Sequence, residues 1–149
     1  MQDRPDAPAE LKARALRYLV RREHSRAELA RKLAPHAESA AAIEAVLDLL
    51  LSRKQQSDER FASERARVLS RKYGAAKIRR DLKARGISEE VIDRLSHPDE
   101  GARATEILRR KYREPAASRE DRAKRARFLQ SRGFSYEVIR KALSLSDSE

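Results

Sequence analysis

The feature that most constrains this chain is an internal repeat. Leu82-Lys83-Ala84-Arg85-Gly86-Ile87-Ser88-Glu89-Glu90-Val91-Ile92 and Leu129-Gln130-Ser131-Arg132-Gly133-Phe134-Ser135-Tyr136-Glu137-Val138-Ile139 share the pattern Leu-x-x-Arg-Gly-apolar-Ser-x-Glu-Val-Ile at an offset of 47 residues. A period of this size marks a supersecondary unit that stacks on its neighbours, which favours an elongated or curved array over a sphere. Inside the pattern, Arg-Gly reads as the end of one helix, because glycine adopts positive φ without steric penalty. Ser-x-Glu reads as the start of the next, with the hydroxyl on a backbone N–H and the carboxylate near the positive end of the dipole. A fainter copy lies earlier, where Leu29 and Leu33 take the parts of Ile78 and Leu82, and Glu44-Ala45-Val46-Leu47 parallels Glu90-Val91-Ile92. Three tandem units follow.

Composition says what the units are made of. Val, Ile and Thr together number twelve, whereas Ala alone supplies 24 residues, so the fold class is all-α. Leu11, Ala15, Tyr18 and Leu19, and then Ile43, Val46, Leu47 and Leu50, repeat with helical spacing, and no stretch alternates as a strand does. Ser25-Arg26-Ala27-Glu28 is a capping box, and Asp58, Ser88, Ser118 and Ser135 are further N-cap candidates. Gly74, Gly86 and Gly133 are placed like glycines just past a helix C-terminus. Pro98 fits a first turn and Pro115 breaks the chain. The spacing predicts helices near 10–22, 26–34, 39–53, 58–72, 75–85, 88–96, 98–113, 118–132 and 135–145. They group in threes, as repeats at 10–54, 55–97 and 98–145, between a polar flexible arm at 1–9 and a tail at 146–149.

Several kinds of chemistry are excluded. There is no Cys, so disulfide scaffolds, thiolate nucleophiles and Cys-bound metal drop out together. Gly-rich phosphate loops and the Gly-x-Ser-x-Gly elbow are missing. His24, His36 and His97 are scattered, none four residues from another, and give no metal site. Asp58-Glu59, Glu89-Glu90 and Asp99-Glu100 stand at predicted helix starts, where the dipole already accounts for them. No catalytic residue, cofactor or metal is therefore expected. No apolar run approaches the roughly 20 residues needed to cross a bilayer, and an N-terminal signal core is missing, so the chain reads as soluble and cytoplasmic, with no membrane partner.

Charge carries more information. The net charge is +11, rising from +1 in residues 1–50 to +4 in 51–100 and +6 in 101–149. A helix wheel with Ile78 and Leu82 inward puts Arg79, Arg80 and Lys83 outward, and one with Ala126 and Leu129 inward exposes Lys124 and Arg127. Arg109, Arg110, Lys111 and Arg113 form a basic end to the seventh helix. Any one Arg among interleaved Glu is explained by solvation and by the dipole at a helix C-terminus. Taken together, the nine cations attract polyanions, either nucleic acid or an acidic protein groove. Tyr73, Phe134 and Tyr136 offer aromatic rings, but Phe134 takes the place of Ile87 in the repeat and belongs to the core.

Read in order, these strings resemble a known family. Asp58-Glu59-Arg60-Phe61-Ala62, Lys72-Tyr73-Gly74, Ile78-Arg79-Arg80-Asp81-Leu82 and Arg85-Gly86-Ile87 are similar to the central repeat of the RecX regulatory proteins. Ala15-Leu16-Arg17-Tyr18-Leu19 and Arg22-Glu23-His24-Ser25-Arg26-Ala27-Glu28-Leu29 resemble the family's opening, and Arg132 to Ile139 its closing repeat. The resemblance implies a monomeric modulator of the RecA recombinase in DNA recombination, repair and the SOS response. It would lie in the helical groove of the RecA–DNA filament, close to DNA, and restrain recombinase, ATPase and coprotease activity without catalysis of its own. A general module that binds naked DNA is the alternative that the charge allows.

Two departures from the repeat stand out. Arg125 occupies the inward position that Ile78 fills one unit earlier, which predicts a thinner core or one packed on the arginine stem. The first unit has Ala34-Pro35-His36-Ala37 where the others have Arg-Gly, which predicts a different angle between its helices.

Overall fold

A computed structural model describes residues 4–95 and 99–147. Among them are nine α-helices and no strand: α1 Pro8–Arg21, α2 Arg26–Leu33, α3 Ala40–Ser52, α4 Asp58–Leu69, α5 Ala75–Ala84, α6 Glu89–Asp93, α7 Glu100–Lys111, α8 Arg119–Ser131 and α9 Tyr136–Asp147. The expected places of His97 and Pro98, and of the terminal residues 1–3 and 148–149, lie outside the described residues. Helix α1 starts at Pro8, two residues earlier than the spacing predicts. The chain before it is held, with Asp6 taking both Nε (2.7 Å) and Nη2 (3.2 Å) of Arg14 and giving its N–H to the His36 carbonyl at 2.8 Å.

Serine caps follow the sequence reading. Ser25 accepts from Glu28 N at 3.0 Å while Glu28 reaches back to Ser25 N at 3.2 Å. Ser88 accepts from Val91 N at 3.2 Å, Ser118 from Asp121 N at 3.0 Å and Ser135 from Val138 N at 3.3 Å. Asp58 is a correction. The N-cap of α4 is Ser57, whose hydroxyl accepts from Arg60 N at 3.1 Å. Asp58 turns instead to the start of α2, where its Oδ1 accepts from Arg26 N at 2.8 Å and from Gln56 Nε2 at 2.9 Å. A carboxylate distant in sequence thus satisfies a first-turn donor that α2 cannot satisfy itself.

The chain divides into two compact units. One comprises Met1–Glu64 with Leu82–Leu95, the other Arg65–Asp81 with Ser96–Glu149, so α4 and α5 contribute turns to both. In the first unit α1, α2 and α3 enclose Leu11, Ala15, Leu29, Leu33, Val46, Leu47 and Leu50. In the second, α7, α8 and α9 enclose Ala104, Ile107, Leu108, Leu129, Phe134, Ile139, Ala142 and Leu143. Fully burying each larger aliphatic side chain contributes roughly 1.5–3 kcal/mol, and these clusters are what hold the short helices in place. Phe134 is therefore core, as its place in the repeat predicts.

The Arg-Gly element does more than end a helix. In the first unit the Arg85 carbonyl accepts the Ser25 hydroxyl at 2.7 Å, Arg85 Nη1 meets Glu28 Oε2 at 2.9 Å, and a side chain on Gly86 would strike Ala27. In the second unit the Arg132 carbonyl accepts Gly74 N at 2.7 Å and the Gly133 carbonyl accepts Ala76 N at 3.2 Å. A Cβ on Gly133 would lie 2.7 Å from Lys77 N. Each Arg-Gly joint therefore sits on the N-terminus of the second helix of the module before it, α2 or α5. At the corresponding joint of the first module the chain makes a 3-10 turn, Ala34–His36, in place of Arg-Gly.

Gly86 and Gly133 have φ of +85° and +94°, as expected for residues that end a helix. Gly74 is a second correction, since its φ is not positive. Its lack of a side chain serves close approach instead, because a Cβ there would fall 2.5 Å from the Gly133 oxygen and 2.8 Å from Phe134 Cδ1.

Candidate partner-binding surface

In the second unit, several cations meet backbone carbonyls and aromatic rings. The turn at 70–73 closes the last carbonyls of α4, with Ser70 N on Ala66 O at 2.8 Å and Tyr73 N on Leu69 O at 2.9 Å, and leaves its own carbonyls to be met from elsewhere. Arg103 Nη1 donates to Ser70 O at 2.9 Å and Tyr73 O at 2.7 Å, Arg110 Nη2 to Arg71 O at 2.7 Å, and Arg132 Nη1 to Lys72 O at 3.4 Å. Arg103 and Arg110 of α7 and Arg132 at the end of α8 thus hold the turn that follows α4, close to a helix C-terminus where positive charge is favourable. The α5 start is closed from the same side, with Glu100 Oε1 accepting Ala75 N at 2.9 Å while its other oxygen pairs with Arg103. Burial pulls the Arg103 guanidinium below its ordinary value.

Aromatic rings take a second share of the cations. Lys111 Nζ lies 4.5 Å and the Arg132 guanidinium 4.9 Å from the Phe128 centroid, and Phe128 meets Tyr112 edge-on at 6.0 Å. Tyr73 carries Lys77 at 4.8 Å and Arg132 at 5.6 Å, so it is a packed ring and not a vacant stacking platform. Arg125 is buried, its guanidinium 4.5 Å from the Tyr112 centroid and its Nη2 3.2 Å from Asp121 Oδ2. The third module does use the arginine stem where the second uses Ile78.

These contacts sort the nine cations singled out by sequence. Arg110 and Lys111 have structural work, as a carbonyl cap and a ring contact. Arg79 is half-buried and not fully outward as the helix wheel suggests, and it has an interaction partner. Lys83 belongs to the other unit and pairs with Glu89 at 2.7 Å. Arg109 stands 4.0 Å from Glu106. Arg80, Arg113, Lys124 and Arg127 are exposed and have no ion-pair partner among the described residues. Sequence reasoning passed over Arg140, exposed on α9 beside the exposed Tyr136; the signal for it was the i, i+4 spacing of the two.

At the α1–α2 joint of the first unit His24, Ser25 and Glu28 are buried. Burial alone would raise the Glu28 carboxyl, but Arg22, the Ser25 N–H and Arg85 outweigh it and hold it below the usual value. His24 is 1% exposed, and burial pushes its imidazole down. Its Nδ1–H donates to Arg22 O at 3.0 Å and its Nε2 accepts from the Lys32 ammonium at 2.9 Å, the tautomer that a cationic neighbour requires. Among the described residues no cluster of three or more His, Cys, Asp or Glu has metal-binding geometry, and no helix is long and apolar enough to cross a membrane.

These elements define an all-helical protein of three tandem three-helix modules. Family models for the first, second and third three-helix domains of RecX match residues 12–50, 57–95 and 99–143. The regulatory protein RecX of Leptothrix cholodnii is 46% identical over 142 residues, covering 93% of this chain and 90% of its own. That of Herbaspirillum seropedicae is 47% identical over 141 residues, covering 93% and 92%. The crystal structure of RecX from Lactobacillus salivarius matches with a TM-score of 0.83 over 95% of this chain and 97% of its own, at 20% identity, a likeness of fold. The chain belongs to the RecX family of regulatory proteins.

Proposed function

We propose that this protein binds the RecA–DNA filament, lies in its helical groove and restrains the protomer motions on which ATP hydrolysis, strand exchange and coprotease activity depend. The observation that carries the reading is family membership through all three modules in order, at 46–47% identity to proteins named as RecX regulators. On this reading it acts in the cytoplasm as a monomer, by occupancy and not by catalysis, and its working parts are the modules at 10–54, 55–97 and 98–145. The contact surface includes Arg80, Arg113, Lys124 and Arg127, whose charges no neighbouring carboxylate neutralises among the described residues. Sub-stoichiometric protein added to RecA, ATP and single-stranded DNA depresses ATP hydrolysis. Unchanged hydrolysis at saturating protein and low ionic strength would reject the reading.

A second reading, direct binding to naked DNA, is favoured by the +11 charge and the same unneutralised cations. It predicts binding without RecA, with log affinity falling against log salt by about 0.9 per phosphate contact on duplex. Replacing Arg80, Arg113, Lys124 and Arg127 by Ala weakens binding to either target while changing stability by less than about 0.5 kcal/mol per site.

A further inference from the structure

A groove of about 310 Å³ runs between α8 and α9 of the second unit. Its floor is apolar, made by Phe134, Ile139 and Leu143, each at most 6% exposed. Arg127 and Arg140 stand on its rim beside Tyr136, which is 77% exposed, and no carboxylate is among the described residues that line it. Arg103, Arg110 and Arg132 of the same unit face carbonyls, whereas Arg127 and Arg140 are exposed over an apolar trough with no ion-pair partner among the described residues. An exposed tyrosine next to unneutralised guanidinium groups is the composition of a binding hot spot.

We infer that this groove is a docking site for an acidic peptide segment carrying one large apolar side chain. The volume accepts a single aromatic or aliphatic side chain against Phe134, Ile139 and Leu143. Flanking carboxylates then pair with Arg127 and Arg140, a geometry in which guanidinium forks bind carboxylate bidentately. The apolar floor distinguishes this occupant from nucleic acid, whose phosphates would use the rim and leave the floor uncovered. The inference shares Arg127 with the proposed filament contact but rests on the apolar floor, Tyr136 and Arg140, and concerns a partner that displays such a segment.

The test is fluorescence anisotropy of a labelled octapeptide of Glu and Asp with one central Phe, against the intact protein at low ionic strength. The peptide binds, and exchanging its Phe for Ser weakens binding about tenfold. The double variant Arg127→Glu with Arg140→Glu weakens it at least about tenfold while melting as the parent does, both positions being exposed. Tyr136→Ala weakens it by a smaller factor and does not alter helicity. Absence of binding, indifference to the Phe or to the charge reversal, or full displacement by oligothymidylate of equal charge each overturns the inference. Filament inhibition that survives in Tyr136→Ala and in Arg140→Glu, neither of which belongs to the proposed filament-contact set, leaves the proposed function standing and separates the two.

Discussion

Arg125 is the sharpest place to test how this fold accommodates a buried charge. It is 6% exposed, its Nε has no hydrogen-bond partner among the described residues, and it stands where the preceding module has Ile78. Replacing it with Met keeps an unbranched stem of similar reach and removes the guanidinium. The loss is a cation–π contact with Tyr112, about 1–2 kcal/mol, and a pair with partly exposed Asp121, about 0.5 kcal/mol. Asp121 is not orphaned, because it also accepts from Ala117 N at 3.0 Å. The gain is relief of an unsatisfied buried donor, about 1–3 kcal/mol, together with part of a desolvation cost of several kcal/mol for a buried ion. The balance favours Arg125→Met by about 1 kcal/mol, a rise in Tm of roughly 3 °C for a chain of this size. Arg125→Ala keeps the relief but opens a cavity, and loses about 2 kcal/mol net. Calorimetric melting of the two variants beside the parent decides the matter. If Met melts as low as Ala, the charged head and not the stem stabilises the third module, and the reasoning fails.

Gly133→Ala places a Cβ at positive φ and 2.7 Å from Lys77 N, and is expected to cost about 3 kcal/mol or more by urea denaturation. Gly101→Ala, which meets only Asp99 Oδ1 at 3.3 Å, is the mild control. Asp58→Ala is expected to cost about 1 kcal/mol through loss of the cap on α2, and a nuclear magnetic resonance shift at the Arg26 amide, with Arg60 unmoved, distinguishes that cap from one on α4. His24 gives a pH signature: neutral when folded and with an ordinary value of 6.5 when unfolded, it makes the unfolded chain bind the extra proton in acid. Stability from this group is present above about pH 6.5 and declines as pH falls below it, so the urea midpoint drops with acidification and His24→Gln flattens that drop.

Much of the fold was legible because it is local. Helical spacing, Ser-x-x-Glu caps and Arg-Gly stops each involve residues a turn or two apart, and they located nine helices among the described residues within a few positions. The family was legible for the same reason, since the strings that carry it are the caps and joints themselves. The candidate surface was less so. Arg110 and Arg113 are alike in sequence, three residues apart on either side of the α7 C-terminus, yet one donates to Arg71 O and the other is exposed to solvent.

By itself the sequence determined that the chain is helical, that it repeats, and within a few positions where the helices begin and stop, because those outcomes follow from backbone sterics and from donors satisfied within a single turn. Tertiary structure alone decided what the repeated joint is for. Whether Asp58 caps its own helix or α2, whether Gly74 turns the chain or admits another backbone, and whether an arginine faces a carbonyl or solvent all depend on segments brought together from 30 to 60 residues away. A buried donor or carbonyl must find a partner wherever one lies, and linear spacing does not say which distant segment will supply it.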